Sequence, residues 1–162
     1  MPSFFRVFIF SSILFSPIFS AEENKPVRVY VDMVADLFHA GHVAFLEKAA
    51  ACGDELIVGL MSDDDTESYK RRPIMTLEER TAVVSACRYV TEVIPAVSFT
   101  VTKELITEYN IDLVVHGDDF DEGLINLFYR VPIAMGIFQT VPYTEGISTS
   151  DLIRRIQERD AV

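Results

Sequence analysis

The run Leu56–Met61 constrains the fold more than any other part of the sequence, because every residue in it except Gly59 is apolar. An apolar run of strand length indicates a strand that is buried on both faces, as in a parallel sheet covered by helices. Three shorter runs that contain several β-formers are also predicted to be strands, and a fourth run is a further candidate. They are Val27–Val31, Val90–Ile94, Ile111–Val115 and the candidate Ile133–Val141. The sequence therefore predicts about five strands.

Helical patterns lie between these runs. Thr76 and Glu79 have the spacing of a capping box, which predicts a helix from there to about Arg88. The other predicted helices cover residues 41–51, 103–109 and 148–159. The polar stretch 62–72 is predicted as neither helix nor strand. Strands that alternate with helices predict an α/β fold, here a Rossmann-like, doubly wound parallel sheet of about five strands with helices on both faces.

The N-terminal segment differs from the rest of the chain. Arg6 is the only charged residue before Glu22, and Val7–Phe19 is an apolar block followed by small residues. This layout predicts a signal peptide or a membrane anchor over residues 1–23, although a targeting segment or a mis-assigned start codon are alternatives. Residues 24–162 are then a single domain, and a membrane is expected as a partner only through an uncleaved segment.

The charge balance restricts the partners. The chain has 25 acidic and 14 basic side chains, for a net charge of −11. Nucleic acids and anionic membranes are bound through neutralisation of their phosphates by Lys and Arg, so neither is an expected partner of the domain. A phosphate site must therefore be local. Cys52 and Cys87 lack metal-binding spacing and are predicted to be reduced packing residues.

A strand-to-helix junction at residues 32–42 carries two of the three histidines of the chain. His39 and His42 flank Gly41 at the predicted beginning of a helix, where unpaired backbone N–H groups and the helix dipole favour anions. Gly41 leaves room for a phosphate to approach the backbone. A metal pair is the alternative, but zinc-binding histidines on helices are usually four residues apart. We therefore predict a polyphosphate ligand.

The segment Asp36–His42 resembles the H-x-G-H signature of the nucleotidyltransferase superfamily, and in particular its cytidylyltransferase branch. Further motifs of that family follow in the same order, and the resemblance covers residues 27–156. These motifs are Tyr69-Lys70, Pro73–Thr76, Glu78–Arg80, Cys87–Val90, His116–Asp119 and Glu145–Asp151. They are most similar to those of the ethanolamine-phosphate and choline-phosphate enzymes.

The resemblance implies transfer of CMP from CTP to a phosphorylated alcohol, with release of pyrophosphate. His39, His42 and Lys70 would be catalytic, and Mg²⁺ would accompany the triphosphate with Asp36 as a possible contact. The expected nucleotide-binding residues are Val34, Asp36, Gly41, Arg80, Gly117, Asp118, Asp119, Gly146, Ile147, Ser148 and Thr149. Without the resemblance, Arg80 could be an exposed helix residue and Lys70 part of a solvated basic turn. Members of the family are commonly homodimers, so a homodimer is expected.

Asp32 guides the choice of acceptor. In the ethanolamine and choline enzymes an acidic residue at this position faces the cationic head group, whereas a glycerol phosphate has no cation to pair. Asp32 and Tyr143 are the predicted acceptor-binding residues, and Tyr129 is a second candidate for an aromatic wall. The alternative for Asp32 is a cap at the end of a strand.

Three positions depart from the family pattern. Met33 replaces a glycine, Ala35 a phenylalanine, and Tyr143 an arginine of the motif R-T-E-G-I-S-T. A methionine could obstruct the nucleotide, and the loss of the arginine removes one triphosphate-binding charge. The alternatives that follow are a glycerol-3-phosphate cytidylyltransferase, a sugar-phosphate adenylyltransferase, or a catalytically impaired nucleotide-binding homologue.

Overall fold

The computed structural model describes residues 25–119 and 121–159, in which strands alternate with helices. The predicted signal or anchor segment, 1–23, lies outside the described residues. The strands are β1 (Arg28–Met33), β2 (Glu55–Met61), β3 (Glu92–Val97), β4 (Leu113–Gly117) and β5 (Phe138–Val141). The helices are α1 (Ala40–Ala50), α2 (Asp63–Tyr69), α3 (Leu77–Ser85), α4 (Lys103–Glu108), α5 (Glu122–Phe128), α6 (Arg130–Ala134) and α7 (Thr149–Arg159).

The strands form one parallel sheet in the order β3-β2-β1-β4-β5. The chain starts at the centre, adds β2 and β3 on one side, and then crosses back to add β4 and β5 on the other. The order of the strands therefore reverses between β1 and β4. This topology confirms the predicted doubly wound sheet, and it places a crevice beyond the carboxyl ends of β1 and β4, where ligands bind in such folds.

Each face of the sheet has its own core, because successive side chains of a strand point to opposite faces. Val29 and Val31 of β1 belong to one cluster, together with Leu46 of α1 and Val84 of α3. Tyr30 belongs to the other, which includes Ile106 of α4. All six residues of Leu56–Met61 are buried. The most exposed of the apolar side chains is that of Met61, at 8%. The prediction of a strand buried on both faces is thus confirmed.

α2 and α5 were not predicted, and α2 lacks an apolar stripe that would have indicated a helix. In α2 three aspartates occupy the first turn, where the helix dipole stabilises them, and Ser62 caps the helix by accepting from the backbone N–H of Asp65. In α5 Asp121 is the cap, accepting from the N–H groups of Gly123 and Leu124. Short polar caps mark the beginning of both helices.

The predicted limits of two strands and one helix were wrong. Residues 130–134 form α6, so the fifth strand is limited to Phe138–Val141 and does not begin at Ile133. The third strand is displaced to Glu92–Val97, where Pro95 is tolerated because β3 is an edge strand. α3 ends at Ser85, three residues before the predicted end.

Two further findings concern the described residues. Cys52 and Cys87 are free and half-buried, and both pack against the core on the α1 side, as predicted. None of the helices described is long and apolar enough to cross a membrane.

Candidate active site

A cavity of about 380 Å³ lies beyond the carboxyl ends of the strands, at the place where the strand order reverses. Thirteen of the sixteen predicted site residues line it. These are Asp32, Val34, Asp36, His39, Gly41, His42, Lys70, Gly117, Asp119, Tyr143, Ile147, Ser148 and Thr149. The convergence of these residues follows from the parallel sheet, which brings the ends of separate strands to one edge.

His39 and His42 cap α1 in a reciprocal manner. The Nδ1 atom of His39 accepts from the N–H of Gly41 at 3.1 Å, and the Nδ1 atom of His42 accepts from the N–H of His39 at 3.2 Å. The two rings stack with centroids 3.9 Å apart. The same side chains therefore fix the beginning of the helix and their own orientation.

This capping determines which ring nitrogen carries a proton. In a neutral imidazole one nitrogen accepts and the other donates, so acceptance at Nδ1 leaves Nε2–H as the donor in both rings. Burial, together with the nearby His39, lowers the pKa of His42 to about 4, and burial also lowers the pKa of His39. At neutral pH the pair therefore presents two N–H donors and carries little charge.

Asp36 connects three segments around the cavity. Its Oδ1 atom accepts from the N–H groups of Ile74 and Met75, at 3.1 and 3.0 Å, and its backbone carbonyl accepts from the hydroxyl of Thr149 at 3.0 Å. Its Oδ2 atom is buried and has no hydrogen-bond partner. Asp36 is thus a structural anchor with one carboxylate oxygen still available to a ligand.

The segment before α7 approaches the histidine motif closely. A Cβ at Gly41 would lie 3.2 Å from the carbonyl oxygen of Ile147 and 2.9 Å from the His39 ring, so only glycine fits there without displacement. Gly146 has a φ of 99°, in the region that favours glycine. Ser148 caps α7 by accepting from the N–H of Asp151 at 3.1 Å. The unpaired N–H groups at the beginning of α7 consequently lie beside the histidines.

Two side chains hold residues 142–144, which precede this segment. The ammonium of Lys48 donates to the carbonyl of Pro142 at 2.7 Å and to the hydroxyl of Thr144 at 2.9 Å. Asp118 accepts from the N–H of Tyr143 at 2.7 Å. Lys48 was not predicted as a site residue, and no sequence motif contains it.

Arg80 occupies a different place from the one expected. It is fully buried and does not line the cavity. It donates to the carbonyl oxygens of Val34, Met61 and Met75 and forms an ion pair with Asp63. The predicted phosphate contact and the alternative of an exposed helix residue both disagree with this geometry. Arg80 instead joins the loops after β1 and β2 to the beginning of α3.

Asp118 and Gly146 also lie outside the cavity lining. The Asp118 carboxylate is engaged with the backbone of Tyr143, and Gly146 supplies a turn. In this structure both shape the backbone around the cavity. Their predicted contacts with the nucleotide have no counterpart in the lining.

Asp32 and Tyr129 form a buried pair in the cavity. The Tyr129 hydroxyl donates to Oδ1 of Asp32 at 2.5 Å, while Oδ2 is buried without a hydrogen-bond partner. Burial raises the pKa of Asp32, against the opposing effects of the Tyr129 hydrogen bond and of His116. The pKa of Tyr129 is also raised, through burial and the neighbouring carboxylate. A cation placed at Oδ2 would offset the unfavourable free energy of burying this charged carboxylate.

Aromatic side chains continue the wall beside this pair. The rings of Tyr69 and Phe99 meet edge-to-face with centroids 4.9 Å apart, and Phe99 stacks on Phe128 at 5.6 Å. His116 lies 5.2 Å from the Tyr129 ring. All five line the cavity. Tyr69 and His116 belong to motifs quoted above. Phe99 and Phe128 were missed, although Phe99 follows the third strand, where ligand-facing residues of this fold occur.

The loop between β1 and α1 is strained. Ala35 and Leu37 have φ values of 58° and 45°, which are uncommon for residues other than glycine. Ala35 is buried, and Met33 lines the cavity and packs against the core. Strained backbone at a cavity wall is typical of functional sites.

In the part of the chain that the structure describes, the cavity has few basic side chains and no cluster of metal-binding side chains. Among the described residues, Lys70 and Arg71 are the only Lys or Arg side chains in its lining. No group of three or more His, Cys, Asp or Glu side chains in the described segments could hold a metal ion. The arrangement therefore suits a phosphate-rich ligand that is bound by N–H donors, a helix terminus and a few cations.

The fold and this cavity define a protein of the doubly wound α/β class with a candidate phosphate site at the carboxyl edge of its sheet. The chain belongs to the cytidylyltransferase-like family, whose model matches residues 33–155.

Similar proteins agree with this assignment. The chain is 49% identical over 136 residues to the ethanolamine-phosphate cytidylyltransferase of Arabidopsis thaliana, covering 79% of this chain and 32% of that protein. It is 41% identical over 136 residues to the choline-phosphate cytidylyltransferase A of Rattus norvegicus, covering 82% and 37%. The matched region thus spans about a third of the length of these relatives.

A solved structure shares the fold. The lipopolysaccharide core biosynthesis protein from Thermoplasma volcanium superposes with a TM-score of 0.61 and 25% identity, covering 76% of this chain and 100% of that chain.

Proposed function

We propose that this protein transfers CMP from CTP to ethanolamine phosphate or choline phosphate, giving a CDP-alcohol and pyrophosphate. One observation carries the proposal: a single cavity joins phosphate-binding groups to a buried carboxylate that has an unpartnered oxygen. The phosphate-binding groups are His39, His42 and the beginning of α7, and the carboxylate is Asp32. A substrate pair with a triphosphate and a small cation matches both ends.

The reaction needs positioning more than proton transfer. A phosphate oxygen of the acceptor attacks the α-phosphorus, and the bond from that phosphorus to the oxygen of the β-phosphate breaks as pyrophosphate leaves. The nucleophile is already an anion, so no strong base is required. The Nε2–H groups of His39 and His42 would donate to the phosphate oxygens as negative charge increases. Lys70 would neutralise part of this charge.

The acceptor would be held through its head group. Oδ2 of Asp32 offers a buried negative charge, and Tyr129 fixes the carboxylate by occupying Oδ1. The aromatic wall of Tyr69, Phe99 and Phe128 suits the apolar surface of a methylated ammonium. Tyr143, which is 46% exposed, would close the cavity at its mouth.

Mg²⁺ fits the site as an ion that arrives with the triphosphate. Mg²⁺ is usually bound by one or two carboxylates together with substrate phosphates and water. Asp36 lines the cavity and has one oxygen without a hydrogen-bond partner, which suits a single protein ligand. When bound, the ion would supply further neutralisation of the phosphates. We also propose a homodimer, from the family resemblance.

The proposal is tested by measuring pyrophosphate release from the full chain. CTP and ATP are each combined with ethanolamine phosphate, choline phosphate, glycerol 3-phosphate and a sugar phosphate. We expect release with CTP and an amino alcohol phosphate. His42→Ala should lower kcat by about 100-fold or more, since one donor to the transition state is lost.

The control for this variant is Arg130→Ala, an exposed position outside the cavity lining, which should retain the wild-type rate. Release only with glycerol 3-phosphate, or only with ATP and a sugar phosphate, would contradict the proposed substrates. A protein that binds CTP but releases no pyrophosphate with any acceptor would be a nucleotide-binding homologue without turnover. Met33 and Tyr143, which line the cavity where the family pattern has a glycine and an arginine, favour that second candidate.

A further inference from the structure

Arg71 lines the cavity, and among the described residues its guanidinium makes only a long contact, with Asp36. Its Nη2 atom lies 3.8 Å from Oδ2 of Asp36, which is too long for a hydrogen bond, and its side chain is 46% exposed. Oδ2 of Asp36 in turn has no hydrogen-bond partner. The two charges attract each other without forming the paired hydrogen bonds that a guanidinium and a carboxylate can make.

The surroundings place Arg71 beside the phosphate-binding groups. Asp36 anchors the loop that carries Arg71 through the N–H groups of Ile74 and Met75. The carbonyl of the same aspartate accepts from Thr149, the first residue of α7. Asp36 therefore lies between the guanidinium of Arg71 and the beginning of α7.

The cavity lining offers few positive charges to a triphosphate, so the charge of Arg71 would contribute to binding. His42 is neutral at pH 7, since its pKa is about 4, and Tyr143 at the mouth has no positive charge. Lys70 and Arg71 are the only lining Lys or Arg within residues 25–119 and 121–159. A nucleoside triphosphate carries several negative charges, which a single lysine and a helix terminus would neutralise only in part.

We propose that Arg71 binds the β- and γ-phosphates of the nucleotide, and that it leaves Asp36 when the nucleotide enters. This inference rests on the proposed function of the cavity. A planar guanidinium can make two parallel hydrogen bonds to phosphate oxygens, which are stronger than the long contact it gives up. The exchange would leave Oδ2 of Asp36 facing the ion that accompanies the triphosphate.

The neighbouring arginine provides a matched control. Arg72 pairs with Glu67 at 2.9 Å and with Asp64 at 3.6 Å, is 60% exposed, and does not line the cavity. Substitution of Arg72 therefore removes the same charge from the same loop without removing a group from the cavity.

The experiment is isothermal titration of the full chain with CTP, CMP and inorganic tripolyphosphate. For Arg71→Ala we expect a Kd that rises about 10- to 100-fold for CTP and for tripolyphosphate, as for lost charge-assisted hydrogen bonds. The Kd for CMP, which lacks these phosphates, should change by less than about twofold. Arg71→Lys should fall in between, and Arg72→Ala should bind all three probes like the wild type.

Three results would overturn the inference. These are wild-type binding of CTP by Arg71→Ala, an equal loss of CMP binding, or an equal effect of Arg72→Ala. Failure of the proposed function is separable, because titration requires no turnover. If Arg71→Ala binds CTP more weakly than the wild type does, and the wild type releases no pyrophosphate, the proposed role of Arg71 is supported and the proposed enzymatic activity is contradicted.

Discussion

Single residues in the cavity have two roles. His39 and His42 cap α1 through Nδ1 and present Nε2–H to the ligand, and Asp36 anchors a loop while one of its oxygens faces the cavity. Asp32 differs, because burial disfavours its charged form and Tyr129 partners only one of its two carboxylate oxygens. Such a residue is expected to lower stability in exchange for function.

Asp32→Asn should therefore stabilise the ligand-free protein at pH 7 while impairing use of a cationic acceptor. The pKa of Asp32 is raised on folding, so its charge destabilises the native state once pH rises above about 3.9, the value for an unfolded aspartate. The amide oxygen of Asn can still accept from Tyr129. We expect a higher unfolding free energy in urea at pH 7, no gain below pH 3.9, and about 100-fold lower kcat/KM with the amino alcohol phosphate.

Asp112→Asn is the control for the sign of this effect. The pKa of Asp112 is lowered, chiefly because its carboxylate accepts from the backbone N–H of Arg28, so its charge stabilises the fold above its pKa. Asp112→Asn should lose stability at pH 7. A loss in both variants would mean that Asp32 supports the fold and is not held at a cost.

At the scale of elements, the site depends on how loops are joined. Residues 34–39, 62–76 and 142–148 have little regular structure between them, apart from α2. Side chains connect them. Arg80 joins the loops after β1 and β2, and the Asp36 carboxylate also joins the first range to the second. The Thr149 hydroxyl joins the beginning of α7 to the first range, and Lys48 joins the third range to α1. Most of these ties are to backbone carbonyls or N–H groups, which hold the loops independently of the side chains there.

Arg80→Leu should destabilise the fold by about 3 kcal/mol, because it leaves Asp63 and three carbonyl oxygens without their donor. The measurement is urea denaturation followed by circular dichroism. The same substitution at Arg130, which is exposed, should change stability by less than about 0.5 kcal/mol. Unchanged stability with weaker CTP binding would restore the phosphate contact expected from the sequence.

Particular residues show what the sequence could and could not predict. The strand pattern and the motif order predicted the sheet and thirteen lining residues, because a parallel sheet brings motifs at strand ends together. The burial of Arg80 could not be predicted, since its partners are backbone carbonyls from three separate segments. Lys48 escaped notice for the same reason. Tertiary contacts to the backbone leave no pattern in side-chain types.

For the whole molecule, the expected assembly is a homodimer. The chain mass is 18.3 kDa, so light scattering of the purified protein should give about twice that value. A monomeric mass at assay concentrations together with full activity would show that one chain completes the site.

The polarity of the sheet also determines how the domain can be presented. Lys25 lies at the amino end of β1 and pairs with Asp112, which precedes β4, so both mark the edge opposite to the cavity. Any membrane leader, affinity tag or fusion partner joined ahead of Lys25 would therefore be attached at the edge of the sheet opposite to the cavity. The mouth would stay open to small solutes, because it lies at the opposite edge of the sheet.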